Sequence, residues 1–271
     1  QMVKDLREKT GLPMMECKQA LTESGGDIEA AIEWLRKKHK GKMSERADRQ
    51  TGEGRIGVFI DDAKKIGGIV ELQCETAPVA KNELFVNLAN EIARIVAMGS
   101  EASPDPEAVR KNPEVDAKFT DVFGRLRESM NLRACRRVQG EYLACYVHHD
   151  GKSGVMLALD AEPKSDKNVA ADLCMHTLFT QPIAIDRAGV PAEEIEKVRS
   201  LAIEVAKNEG KPEQIVQKIA EGKVNAFFAE RVLLEQIHVK TDDYGKTKIA
   251  DVLKQAGVGT VTDMVIMKVG G

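Results

Sequence analysis

No stretch of this sequence carries the run of about 18 apolar residues that a membrane-spanning helix needs, so no span is expected. The first residues, Gln1 to Arg7, are amphipathic and charged, and do not read as a secretory signal. A basic surplus is missing too: the 271 residues carry a formal net charge of −3. Proteins that grip nucleic acid through its phosphates usually have such a surplus, so direct nucleic-acid binding is not expected. Cysteine is sparse and unpatterned. Cys17, Cys74, Cys135, Cys145 and Cys174 are odd in number, widely spaced and never Cys-x-x-Cys. That argues against a disulfide framework or a thiolate zinc site, and predicts buried free thiols in a cytoplasmic protein.

Catalytic motifs are equally scarce. There is no Gly-x-Ser-x-Gly, His-Glu-x-x-His or Gly-x-Gly-x-x-Gly. Gly151-Lys152-Ser153 matches the end of a phosphate-binding loop, but Tyr146 stands where that loop needs its first glycine. Asp150-Gly151 between two apolar runs reads better as a hairpin turn. His148 and His149 are neighbours on a predicted strand, so their rings should point to opposite faces rather than share a metal. Acid pairs such as Asp61-Asp62 and Asp242-Asp243 lie in polar turns. No catalytic set emerges, and neither an enzyme nor a cofactor is expected.

What is present is a patterned mixture of helix and strand, an α+β chain with a 42% hydrophobic fraction typical of folded domains. Residues 2–39 predict three short helices. The first carries Val3 and Leu6 and stops at Thr10-Gly11. The second starts near Pro13 and ends at Gly25-Gly26. The third is capped by Asp27, shows Ile28, Ala31 and Leu35 on one face, and closes at Arg36 to Lys38. Residues 41–54 read as a linker. Period-two patterning then predicts strands over Arg55–Ile60 and Gly68–Cys74, with Asp61-Asp62 and Gly67-Gly68 marking their connection. A helix over Thr76–Val96 follows, then a proline-rich surface stretch over Ser100–Pro113 and a helix over Val115–Met130.

The strand–turn–strand pattern recurs after a shift of 87 positions: Phe59 falls on Tyr146, Gly67 on Gly154, Val70 on Leu157 and Leu72 on Leu159. A helix carrying Leu173, Met175 and Leu178 again follows, and His176 among them reads as a satisfied core histidine. Two similar α+β halves are expected. Pro191 to Phe228 predicts an antiparallel helical hairpin broken at Gly210-Lys211-Pro212, its narrow apolar stripe implying that it projects from the body. A helix over Lys248–Gln255 and a strand over Val261–Val269 close the chain, the strand joining the second half.

Two motifs carry a resemblance. Val3-Lys4-x-Leu6-Arg7-x-x-Thr10-Gly11-x-x-Met14-Met15-x-Cys17-Lys18 resembles the ubiquitin-associated-type three-helix domain that opens members of the elongation factor Ts family. Cys74-Glu75-Thr76-Ala77-Pro78-Val79-Ala80-Lys81-Asn82 is similar to that family's strand-to-helix junction, typically Cys-Glu-Thr-Asp-Phe-Val-Ala-Arg-Asn. Arg136-Arg137-Val138, Tyr146-x-His148 and Gly154-Val155-x-Leu157 extend the resemblance over nearly the whole chain.

The resemblance implies a non-enzymatic guanine-nucleotide exchange factor whose partner is the GTPase elongation factor Tu. No cofactor and no direct nucleotide or membrane binding are implied. Residues 1–40 would form a partner-docking domain, 55–139 one half of the core, 140–185 with 235–271 the other, and 186–234 the hairpin. The partner contacts it implies are Arg7, Met14, Met15, Thr76, Ala77, Pro78, Val79 and His148. Of these, Thr76 to Val79 correspond to the loop that dislocates the partner's magnesium. Ala77-Pro78 departs from the family's Asp-Phe, so the aromatic wedge and its carboxylate are absent, and a rigid proline-containing loop is the expected replacement. A turn that merely starts a helix, with Thr76 as its cap, explains the same residues, and His148 equally suits a solvated turn. Of Met14 and Met15, adjacent on a helix, one is expected in the core and one outside. The competing class is a pure protein-binding module built on an α+β scaffold.

Overall fold

A computed structural model describes residues 1–46 and 48–271. The chain is a mixed α+β protein with two small antiparallel sheets. The helices α1 (Met2–Thr10), α2 (Met14–Glu23) and α3 (Ile28–Ser44) pack on an apolar cluster of their own, built on Leu6, Leu12, Cys17, Leu21, Ala31 and Leu35. Gly11 ends α1 with φ 67, and the Asp27 carboxylate caps α3 by accepting the Ala30 N–H at 2.7 Å. The third helix runs past its expected stop at Lys38 to Ser44, and the added turns carry His39, buried against Gly124 of the body, and Lys40, which pairs with Asp116.

The first sheet, in the order β1-β2-β3, comprises β1 (Glu53–Asp61), β2 (Ile66–Cys74) and β3 (Met130–Gln139). Between β2 and β3 lie α4 (Ala77–Ala80), α5 (Glu83–Met98), α6 (Pro106–Lys111) and α7 (Pro113–Leu126). The second sheet, β4-β5-β6, comprises β4 (Tyr142–Val147), β5 (Ser153–Leu159) and β6 (Val261–Lys268). Between β5 and β6 come α8 (Val169–Thr180), the hairpin α9 (Ala192–Asn208) and α10 (Glu213–Arg231), then α11 (Thr241–Tyr244) and α12 (Ile249–Gln255).

The two sheets stack face to face, with helices on each outer face. Ile56, Ile69 and Val138 of the first sheet meet Leu143, Met156 and Met267 of the second. Val70, Leu72 and Cys74 point the other way, into α5 and α7, and Val155, Leu157 and Leu159 point into α8 and α12. Every residue of β2 is therefore buried, which hides the two-residue alternation of a half-exposed strand.

The pairing registers of the sheets correspond under the 87-residue shift. Phe59 pairs Gly68 as Tyr146 pairs Val155, and Ile60 pairs Gly67 as Val147 pairs Gly154. A register shift falls between Glu71 and Leu72 in one sheet and between Ala158 and Leu159 in the other. β6 joins β5, as its sequence leads one to expect.

Several local expectations need correcting. Gly67 and Gly68 lie inside β2 and do not form the turn, which occupies Asp62 to Lys65. A Cβ on Gly68 would sit 2.0 Å from the Ala93 carbonyl oxygen, so this glycine permits close approach of α5. The helix expected over Thr76–Val96 breaks after Ala80, and Asn82 caps the longer part by accepting the Leu84 N–H at 3.0 Å. The proline-rich stretch contains a short helix, α6, capped by Asp105.

The base of the helical hairpin is clasped by a parallel bridge between Ala184 and Val232, reinforced by Ile183 N–H to the Arg231 carbonyl at 2.9 Å. No helix among the described residues is long and apolar enough to cross a membrane. All five cysteines are free, four of them buried. Burial pushes the Cys74 thiol up to about 12 and the Cys135 thiol up to about 11.

Candidate partner-binding surface

The loop after β2 starts at Glu75, whose carboxylate accepts the Ser129 N–H at 2.7 Å and pairs with Arg49 at 3.0 Å. Those partners, the Ser129 N–H foremost, hold its pKa below the ordinary value. Thr76 stands at the N-cap position of α4, yet its hydroxyl makes no cap bond. Its hydroxyl donates instead to Glu128 at 2.6 Å, and its N–H to the same carboxylate at 3.0 Å. Pro78 sits in the first turn of α4, where its missing N–H costs nothing. Thr76 and Pro78 are exposed, Ala77 and Val79 half-buried, and Ala80 anchors the turn in the core.

The three-helix unit brings a second set of residues close by. Met14 and Met15 are both outside, 55% and 74% exposed, contrary to the expectation of one in the core. Leu12, from the preceding loop, fills the place a first-turn methionine would take, and the inward face of α2 begins only at Cys17. Arg7 is exposed and lines a groove of about 500 Å³ with Pro13, Met14, Arg125 and Arg127. Glu16, next to the methionines, pairs with Arg127 of the body.

His148 follows β4, in the turn that leads to β5. Its Nδ1 lies 3.3 Å from the Tyr146 hydroxyl. The imidazoles of His148 and His149 are 4.2 Å apart, closer than opposite strand faces would allow, because both residues lie beyond the end of β4. Among the described residues no cluster of three metal-ligating side chains occurs. His148 lines an open apolar cavity of about 510 Å³ with Tyr146, Met175, Leu178, Phe179 and Val239. Phe179 is 79% exposed and was not among the residues singled out from sequence. Its signal was available: Leu178 and Phe179 are adjacent on a helix and cannot both face the core.

The sheet topology gathers these pieces at one rim. Glu53 at the start of β1 pairs Cys74 at the end of β2, and Cys74 pairs Met130 at the start of β3. The turn carrying His148 reaches the same end, where the Ile56 N–H donates to the Gly151 carbonyl at 2.8 Å and Lys152 pairs with Glu53 at 2.6 Å. The loop 75–79, the turn 148–153 and, through the Glu16–Arg127 pair, the tip bearing Met14 and Met15 are thus neighbours.

The family model described as Elongation factor TS matches residues 75–271, beginning at the first residue of that loop. A protein named Elongation factor Ts from Azoarcus sp. (strain BH72) is 41% identical over 274 residues, covering 99% of this chain and 89% of the relative. The chain belongs to the elongation factor Ts family. Another member of the family, from Clostridium botulinum (strain ATCC 19397 / Type A), is 38% identical over 256 residues, covering 91% of this chain and 83% of its own. The family member from Chlorobaculum parvum is 36% identical, covering 92% and 90%.

Proposed function

We propose that this chain is a guanine-nucleotide exchange factor that binds elongation factor Tu carrying GDP and promotes GDP release during translation elongation. The observation that carries this reading is the braced loop Thr76–Val79, with Thr76 and Pro78 exposed, set on one rim with His148 and linked through the Glu16–Arg127 pair to the tip bearing Met14 and Met15. Residues 1–40 act as a ubiquitin-associated-type docking domain, with Arg7, Met14 and Met15 as its contacts. Exposed methionine suits such a role because it adapts to an irregular surface. Residues 55–139, and 140–185 with 235–271, are two halves of a duplicated core, a reading supported by the equal registers and the equal position of the register shift. Residues 186–234 form the hairpin arm. The protein acts in the cytoplasm.

The mechanism needs no covalent step and no cofactor. A P-loop GTPase holds its nucleotide through a phosphate loop and a magnesium ion. A factor that binds best when that site is disturbed weakens nucleotide binding, and nucleotide weakens the factor by the same amount. Acceleration of release by about ten-thousandfold requires the barrier to fall by roughly 5.5 kcal/mol, within reach of a protein interface. Ala77-Pro78 lacks an aromatic wedge, so the pressure on the magnesium and phosphate-loop site comes from the short helix itself, with Ala77, Pro78 and Val79 as its contact face. The test is release of fluorescent GDP from the cognate elongation factor Tu at saturating concentrations of this chain. A faster off-rate supports exchange. Binding with an unaltered off-rate would overturn it in favour of a plain protein-binding module.

A further inference from the structure

Three consecutive residues between α7 and β3 together grip three other segments of the chain, at Glu16, at Arg46 and at Glu75-Thr76. Arg127 adopts φ 61, a left-handed conformation that costs a non-glycine residue about 1 kcal/mol or more. It is kept there by three contacts: its N–H donates to the Phe123 carbonyl at 2.8 Å, its own carbonyl accepts from Arg46, and its guanidinium pairs with Glu16. Glu128 accepts both donors of Thr76. Ser129 donates its N–H to Glu75 and its hydroxyl to the Arg46 carbonyl at 2.6 Å. The turn therefore binds α2 two residues from Met14, and binds both residues that open the loop 75–79.

A side-chain wedge can rotate into place after docking. A contact face made of Ala77, Pro78 and Val79 has no such freedom, and works only if the backbone beneath it resists displacement. Thr76 spends its hydroxyl on Glu128 and leaves its own helix uncapped, so the support for that backbone comes from outside the loop. We propose that Glu128 is a positioning residue for exchange: its carboxylate fixes Thr76, and so presents Ala77–Val79 to the partner as a rigid face. Arg127 ties the same bracket to Glu16, so the methionine tip and the loop move as one piece. This inference rests on the exchange reading given above.

The test compares wild type, Glu128→Ala and Glu128→Gln as full-length chains in the fluorescent-GDP assay with the cognate elongation factor Tu. Glu128→Ala removes both bonds to Thr76 and is expected to lower the saturating release rate about tenfold, the effect of losing one to two hydrogen bonds. The half-saturating concentration should change less than about twofold, since the methionine and His148 contacts are untouched. Glu128→Gln keeps one acceptor oxygen and should lose about threefold. Amide exchange of residues 77 and 79–82 in the free protein should quicken most in Glu128→Ala, less in Glu128→Gln and not in Arg127→Gly. Arg127→Gly, which suits the left-handed backbone, should leave the saturating rate nearly intact and raise the half-saturating concentration, because it frees only the methionine tip. A saturating rate equal to wild type in Glu128→Ala overturns the positioning role and leaves exchange standing. A rate that falls only in step with a lower melting temperature and a weaker half-saturation overturns it as well. A wild-type chain that does not speed release removes both readings together.

Discussion

His238 lies 1% exposed between His176 and Tyr244, its ring centroids 5.2 and 4.2 Å from theirs, with its Nδ1 accepting the Lys240 N–H at 3.0 Å. Burial, and then the neighbouring His176, lower its pKa to about 4, while Asp172 pulls weakly the other way. His176 is lowered in the same direction by burial. The unfolded chain takes these protons first, so the stability they protect is complete above about pH 6.5 and is lost as the pH falls towards 4. For His238 alone, the loss by pH 5 is about 2 kcal/mol. Urea unfolding of His238→Phe at pH 7.5 and pH 5 should show a smaller difference between the two conditions by about that amount. A difference equal to wild type would mean that other groups set the acid limb. At this scale His176 was legible from its apolar neighbours: its Nδ1 accepts the Val239 N–H, so its Nε2–H is left to donate to Gln236 at 2.8 Å. His238 was not legible, because His176, against which its ring packs, lies some 60 residues away and only the fold brings the two together.

Glycine at the scale of the element carried a double meaning. Gly67-Gly68 reads as a turn from sequence, but Gly68 is the point where β2 and α5 approach backbone to backbone. Gly68→Ala should cost roughly 3 kcal/mol in chemical denaturation, since the obstructing atom is a carbonyl that cannot swing aside. Gly222, exposed within α10 with nothing within 4 Å of an added Cβ, makes the opposite case. Gly222→Ala should stabilise by up to about 1 kcal/mol. Equal effects at the two sites would contradict the close-approach account. The strand β3 escaped sequence reading for a related reason. Leu72 pairs Leu132 and Glu71 pairs Ala134, so Arg133 is an extra residue that places Leu132 and Cys135 on one face three positions apart. That spacing imitates a helix. The strands β1, β2, β4 and β5 were legible because their turns or apolar runs were not interrupted in this way, and β6, whose extra residue Thr262 falls near its start, because the run from Met264 to Met267 beyond it is apolar.

Across the whole molecule, the three-helix unit is seated on α7 by both exposed and buried contacts. Arg36 holds Asp121 in two bonds of 2.8 and 2.7 Å, and Lys40 holds Asp116, but these pairs are largely solvated. Such pairs contribute at most about 1 kcal/mol each. The buried element is His39, 2% exposed, whose ring rests where a Cβ on Gly124 would stand, 2.4 Å from its Nδ1. Gly124→Ala should therefore loosen the unit and speed proteolysis between residues 40 and 54, whereas Asp121→Ala should change that rate little. The reverse order would assign the seating to the ion pairs. Neither contact was legible, because both join segments some 85 residues apart through side chains with no shared motif. The arm formed by α9 and α10 shows the contrary design. The bridge from Ala184 to Val232 closes its root, so the strands and helices beneath are complete without the outer turns. The span from Leu201 to Ile215 can therefore lengthen, shorten or change its surface through mutation while the body it grows from stays folded, leaving this limb open to innovation.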